Sequence, residues 1–209
     1  MQACNAFDKS KYDIIPVYIT KENELYTGDG IGDIEQYTDI KALLAKSQRV
    51  IMVNEGGQVK LTRYPMKKFG DNTVAKIDVA FPIVHGTNVE DGTLQGYFQT
   101  LGVPYVGCDV VSSAVGMDKY IMKTVFKDND IPVLDCLVVK ARDFALDSEK
   151  TADAIEKKIS YPVIIKPVNL GSSVGIKLAR DREQLIDALD YAFGFAGKVL
   201  AEHAITNLK

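Results

Sequence analysis

The chain has 209 residues, 46% hydrophobic and 25% charged, with a formal charge of -3. That length fits one large domain or two small ones, and the composition is that of a globular protein, not a disordered one. The slightly acidic balance excludes a basic stripe for nucleic acid, and Lys67-Lys68 reads as solvated surface. Cys4, Cys108 and Cys136 form an odd, widely spaced set without CxxC spacing, which fits reduced thiols better than a disulfide frame or zinc site. Cys108 and Cys136 are expected as small core residues. No apolar run reaches the ~20 residues of a membrane span. The opening MQACNAFDKSKY has neither a basic nor an apolar export region, so no membrane association and a cytoplasmic location are expected.

In chain order, 12–20 (YDIIPVYIT) reads as a strand and 34–45 (IEQYTDIKALLA) as a helix by its spacing. Residues 49–54 form a second strand, NEGGQ at 54–58 a hairpin turn, and 59–64 the returning strand. The run 77–84 (IDVAFPIV) is nearly unbroken in its apolarity, as expected of a strand buried on both faces. A helix over 90–101, with Asp91 near its start and Gly102 as its stop, leads to a strand at 103–106. This order predicts an α/β class with a doubly wound parallel sheet, whose sites lie at the carboxyl ends of strands. His85, Gly86 and Glu90 fall just past such an end.

Residues 112–129 read as one long helix capped by Ser112 or Ser113. A strand at 133–140, a helix at 148–159, a strand at 163–166 and another at 175–179 follow. Asp181 should cap a helix over 182–193, with Glu183 in its first turn, and 199–204 is a last strand. The domain boundary is expected at 111/112.

Between the strands ending at Lys166 and starting at Gly175 lies KPVNLGSSVGI (166–176), which carries two readings. As G-x-S-x-G it would make Ser173 a nucleophile on an elbow, which needs a strand, a sharp turn and then a helix. IKLAR after it alternates like a strand, and His203 sits in the strand-like VLAEHAI, so that context fails. As a strand, a glycine-rich loop and a strand it can fold over phosphates. Gly171 and Gly175 free the backbone to turn its N–H groups inward, Ser172 and Ser173 add hydroxyl donors, and Lys166 adds charge. Taken alone, the loop favours a mobile surface hairpin with a solvated lysine, since glycine-serine turns are common.

The blocks HGTNVEDGTLQG (85–96), SSAVGMDKYIMK (112–123), YPVIIKPVNLGSSVGI (161–176) and VLAEHAI (199–205) occur in register. With them the chain resembles the D-alanine–D-alanine ligases of the ATP-grasp superfamily, over nearly its whole length. The resemblance implies an N-terminal substrate-binding α/β domain at 1–111, then the first α+β lobe of an ATP-grasp domain at 112–209. It implies phosphorylation of one D-alanine carboxylate by ATP, with Mg2+, and attack on the acyl phosphate by a second D-alanine, for peptidoglycan precursors. By motif position, Lys119 and Lys166 would contact ATP phosphates, and Ser173 with Gly171 and Gly175 would close over them. Ser172 resembles the family's active-site serine, and His85 and Glu90 resemble first-substrate residues. Glu202, His203 and Ile205 would line the adenine, with His203 in place of the commoner lysine.

Against the family pattern, Met1 falls inside a first helix, and the strand and glutamate before it are missing. A second lobe carrying the magnesium ligands is missing after Lys209. No metal residues are therefore assigned, and the chain is expected to be a fragment inactive by itself. Unpaired strand edges predict poor solubility or strand-mediated association, a homodimer among the outcomes. The rival readings are a non-catalytic nucleotide-binding module and a D-alanine–D-serine or D-lactate ligase.

Overall fold

A computed structural model describes residues 2–205 of the chain. Met1, placed inside a first helix by the family pattern, lies outside the described residues. The chain divides into two compact units: residues 1–82 with 97–106, and residues 83–96 with 107–209. Its crossings fall at 82/83, 96/97 and 106/107, where a single cut at 111/112 was expected.

The first unit begins with α1 (Gln2–Ala6) and a five-stranded sheet. Its strands are β1 (Val17–Ile19), β2 (Leu25–Thr27), β3 (Gln48–Glu55), β4 (Gln58–Arg63) and β5 (Thr73–Ile77), each paired antiparallel to the next. Gly56 and Gly57, both at positive φ, make the β3–β4 turn, and the Gly57 N–H donates to Asn54 Oδ1 at 3.0 Å. Between β2 and β3, a 3-10 helix (Ile34–Asp39) precedes α2 (Ile40–Lys46), because Asp39 leaves the helical region to cap α2. Val50, Val59 and Leu61 are buried in this sheet.

The α/β class holds, but the doubly wound parallel sheet does not appear among the paired strands of this unit. Among the described residues, parallel pairing is limited to one bridge, Ala80 to Tyr105. The run 77–84 ends as a strand at Ile77, and Val79 and Phe81 are half exposed. An apolar run becomes an inner strand only with a neighbour on each side, and Ala80 has one such bridge. The strand expected at 103–106 shrinks to the same bridge.

The second unit holds a four-stranded antiparallel sheet of β6 (Cys136–Lys140), β7 (Val163–Pro167), β8 (Lys177–Ala179) and β9 (Lys198–His203), in the order β6-β9-β7-β8. Helix α3 (Thr93–Leu101) opens at Gly92 and spans the 96/97 crossing. The expected long helix is two, α4 (Val110–Met117) and α5 (Lys119–Asp128). Asp118 takes extended backbone angles between them, and its carboxylate accepts from the N–H groups of Tyr120 and Ile121. Asp109 caps α4 by accepting from the Ser112 N–H, so the cap is neither Ser112 nor Ser113. Helix α6 (Ala141–Leu146), not expected, precedes α7 (Ser148–Glu156), and α8 (Arg182–Phe193) is capped by Asp181.

Alternation in β7 puts Val163, Ile165 and Pro167 on a fully buried face. Val163 and Ile165 pack with Val199 and Ala201 of β9, Ile155 of α7, and Leu185, Ala188, Leu189 and Ala192 of α8. The α8 set has the i, i+3, i+4, i+7 spacing of one helical stripe. The opposite strand face carries Ile164, Lys166, Leu200 and Glu202. Cys136 is half-buried and Cys108 is exposed, so Cys108 is no core residue, and all three thiols are free.

Candidate functional site

On that opposite face, Ile164 pairs with Glu202 and Lys166 with Leu200, which sets Lys166 diagonal to Glu202 within reach of a long side chain. Lys166 Nζ makes an ion pair with Glu202 Oε1. Glu202 Oε2 faces Lys123 Nζ at 2.8 Å, and the Glu202 side chain is only 5% exposed. Burial alone would raise the Glu202 carboxyl, but the paired ammonium groups of Lys123 and Lys166 outweigh it and hold the group below its ordinary range.

Helix α5 supplies Lys119 as its first residue. The Lys119 N–H donates to the Val168 carbonyl at 2.8 Å, and its Nζ donates to the Leu170 carbonyl at the start of the loop. Burial first, and then the Lys166 charge, depress the Lys119 amine below its usual value. Asp118 Oδ2 pairs with Lys198 Nζ of β9 at 2.8 Å. That contact and the cap hydrogen bonds overcome burial and hold the Asp118 carboxyl low.

The loop runs from β7 to β8 as a hairpin, not as strand, turn and helix, so the nucleophile elbow is absent. Ser172 and Ser173 are both at positive φ, and the Val174 N–H closes the turn on the Gly171 carbonyl at 3.1 Å. Both serines are exposed, and among the described residues their N–H and hydroxyl groups have no hydrogen-bond partner. The base of the loop is tight. A Cβ on Gly175 (φ 73) would meet Pro167 Cγ at 2.7 Å. The result is an exposed set of donors on a fixed stem, beside two lysines.

His85 and Glu90 form a separate group. Glu90 Oε2 accepts from the Gly86 N–H at 2.6 Å, and Glu90 Oε1 lies 3.5 Å from His85 Nδ1. Glu90 precedes α3 instead of opening it, because Gly92 (φ 94) breaks the helical path. Asp91 accepts from the N–H groups of Asn88 and Thr93, and these bonds lower its carboxyl against burial. Among the described residues, no hydrogen bond or ion pair joins His85 and Glu90 to the lysine cluster.

At the end of β9, His203 turns away from Glu202, and its Nδ1 lies 3.0 Å from the Ser160 carbonyl. Ile205 is exposed. Among the described residues, no group of three His, Cys, Asp or Glu could hold a metal ion, and no helix is long and apolar enough to cross a membrane.

Family models described as D-ala D-ala ligase N-terminus and D-ala D-ala ligase C-terminus match residues 1–108 and 125–208. The chain belongs to the D-alanine–D-alanine ligase family. It is 40% identical over 202 residues to the D-alanine–D-alanine ligase of Acetivibrio thermocellus, covering 93% of this chain and 54% of that one. For the Caldicellulosiruptor bescii ligase the identity is 41% over 205 residues, with 95% and 52% covered. Among solved structures, VanG D-Ala:D-Ser ligase from Enterococcus faecalis matches with a TM-score of 0.78 at 30% identity, covering 98% of this chain and 57% of that one. The D-alanine-D-alanine ligase from Coxiella burnetii gives 0.76 at 27% identity, with 97% and 57% covered. The chain spans about half the length of the curated relatives it matches.

Within this family's frame, three side chains of the cluster were not singled out from the sequence: Lys123, Asp118 and Lys198. Lys123 carried a signal, standing four residues after Lys119 and so on the same helix face. Asp118 was readable as the residue before Lys119 that could cap α5. Lys198 had no local signal, since its partner is 80 residues away in sequence.

Proposed function

We propose that this chain carries the ATP-phosphate and first-substrate parts of an ATP-dependent ligase joining two D-alanines through an acyl phosphate. The observation that carries the reading is the meeting of Lys119 and Lys166 beside the unpartnered donors of the 171–175 loop. An ATP triphosphate fits that set: two ammonium groups supply charge, and exposed N–H and hydroxyl groups supply hydrogen bonds. ATP, when bound, supplies the phosphoryl group that activates the first carboxylate. Lys119 and Lys166 hold the phosphate oxygens, the Gly171–Gly175 backbone and Ser173 close over them, and Ser172 orients the first D-alanine's hydrogen bonds. His85 and Glu90 bind that substrate, and Glu202, His203 and Ile205 form the adenine edge.

The described residues do not fit Mg2+, because they bring no carboxylate cluster together, and no step is assigned to it. The protein works in the cytoplasm, where ATP is available. Its half-exposed apolar run at Val79 and Phe81 supports association into a homodimer. Calorimetric titration of the chain with ATP tests the central reading. Lys166→Met should weaken binding by about tenfold or more, the worth of one charge-assisted hydrogen bond. Equal affinity in wild type and variant would refute the phosphate assignment.

A further inference from the structure

The Glu202 carboxylate faces two ammonium groups, and the reading above uses only one of them. We propose that Lys123 is a positioning residue for phosphate binding: it keeps Glu202 neutralised while Lys166 leaves that carboxylate for a phosphate oxygen. The inference rests on the nucleotide reading of Lys119 and Lys166 and adds how Lys166 becomes free to act.

The geometry divides the carboxylate between its partners. Lys123 holds Oε2 and Lys166 holds Oε1, so the two ammonium groups do not compete for one oxygen. Side chains of Glu202, Lys123 and Lys166 are 5%, 13% and 19% exposed, which excludes most water from the three charges. A buried carboxylate stripped of its only counter-ion is strongly unfavourable, so a lone Lys166 would be pinned to Glu202. With Lys123 in place, Lys166 can move and leave a paired carboxylate behind.

The two lysines are also anchored differently. Lys123 Nζ donates to the Leu134 carbonyl at 3.0 Å, and its helix is tied to β9 by the Asp118–Lys198 pair. Among the described residues, Glu202 is the one charged partner of the Lys166 ammonium, and Lys166 stands just before the exposed loop. Four ammonium groups, on Lys119, Lys123, Lys166 and Lys198, against two carboxylates, on Glu202 and Asp118, leave the cluster net positive and ready for an anion. The transfer is an exchange of partners, with no bond made or broken.

The test uses the full chain, with inorganic tripolyphosphate as an adenine-free probe. Acetylation of the Lys166 amine, followed by mass spectrometry against the exposed Lys157, reports whether Lys166 is pinned. Lys123→Met should slow Lys166 acetylation severalfold and weaken tripolyphosphate binding about tenfold, the scale of one charged hydrogen bond. Lys123→Arg should restore both, and so should Lys123→Met combined with Glu202→Gln, because no carboxylate then remains to pin Lys166. Cooperative thermal unfolding of each variant separates these effects from misfolding. Unchanged Lys166 acetylation in Lys123→Met, or a double variant that restores neither property, overturns the proposal. Wild-type binding that Lys123→Met leaves intact overturns the proposal alone. Wild-type chain that binds no tripolyphosphate overturns the nucleotide reading, and the phosphate step with it.

Discussion

Gly92 has no room for a side chain: a Cβ there would lie 2.7 Å from the Val110 carbonyl oxygen, at a φ of 94° that L residues avoid. Gly92→Ala should therefore cost about 2 kcal/mol or more of stability, read as a lower urea midpoint. Glycine inside EDG marks a turn from sequence alone, but the close carbonyl is visible only once α4 is in place. The lysines divide in the same way. Lys119 and Lys166 were singled out through motif position, and the structure sets both beside the 171–175 loop. Their shared carboxylate was not legible. Glu202 was read for adenine, and its register opposite Ile164 is what turns its carboxylate toward Lys166 and Lys123. His203 shows the limit of reading a strand residue by neighbours, since its ring meets the Ser160 carbonyl across the chain.

Elements with their own punctuation were read closely. The β3–β4 hairpin was marked by its two glycines, and α8 by Asp181 and one apolar stripe. Where two signals overlapped, boundaries moved. Asp118 reads as an ordinary helix residue inside 112–129, yet its carboxylate is worth more as a cap for α5, so the helix breaks there. The run 77–84 failed for a different reason: apolar composition cannot create the neighbouring strands that a buried strand requires. Helices α7 and α8 are joined by Arg182, whose guanidinium meets Glu149 Oε2 at 2.7 Å, Asp153 Oδ1 at 2.8 Å and Glu156 Oε2 at 2.5 Å. Several carboxylates around one planar fork form a network where a lone surface pair would contribute little. Arg182→Ala should lower the melting temperature, and the loss should shrink at high salt. An equal loss at low and high salt would mean that packing, not charge, is the contribution.

At the scale of the molecule, several carboxylates are held below their ordinary range: Glu202 by its lysines, Asp118 by Lys198 and its cap bonds, and Asp91 by backbone N–H groups. A carboxyl depressed in the folded state adds stability above its unfolded value and loses it as pH falls through the folded value. The molecule should hold its melting temperature near neutrality and lose it progressively below the ordinary carboxyl values of 4.5 and 3.8. Glu202→Gln should be less stable at neutral pH and lose less on acidification, checked by thermal melts across about pH 6 to 3. Parallel melting curves for the two proteins would count against the charge cluster as an acid-sensitive element.

By itself the sequence determined the α/β class, most helices and hairpins of the second unit, its glycine-rich loop and the ligase family. Those depend on local periodicity, glycine and cap chemistry, and motif spacing, all of which are written within a few turns of chain. Only the tertiary structure decided the antiparallel pairing of the first sheet, the exposure of Val79 and Phe81, and the shared counter-ion at Glu202. Strand partners and ion pairs join residues far apart in sequence, and their energy exists only when both members are brought together.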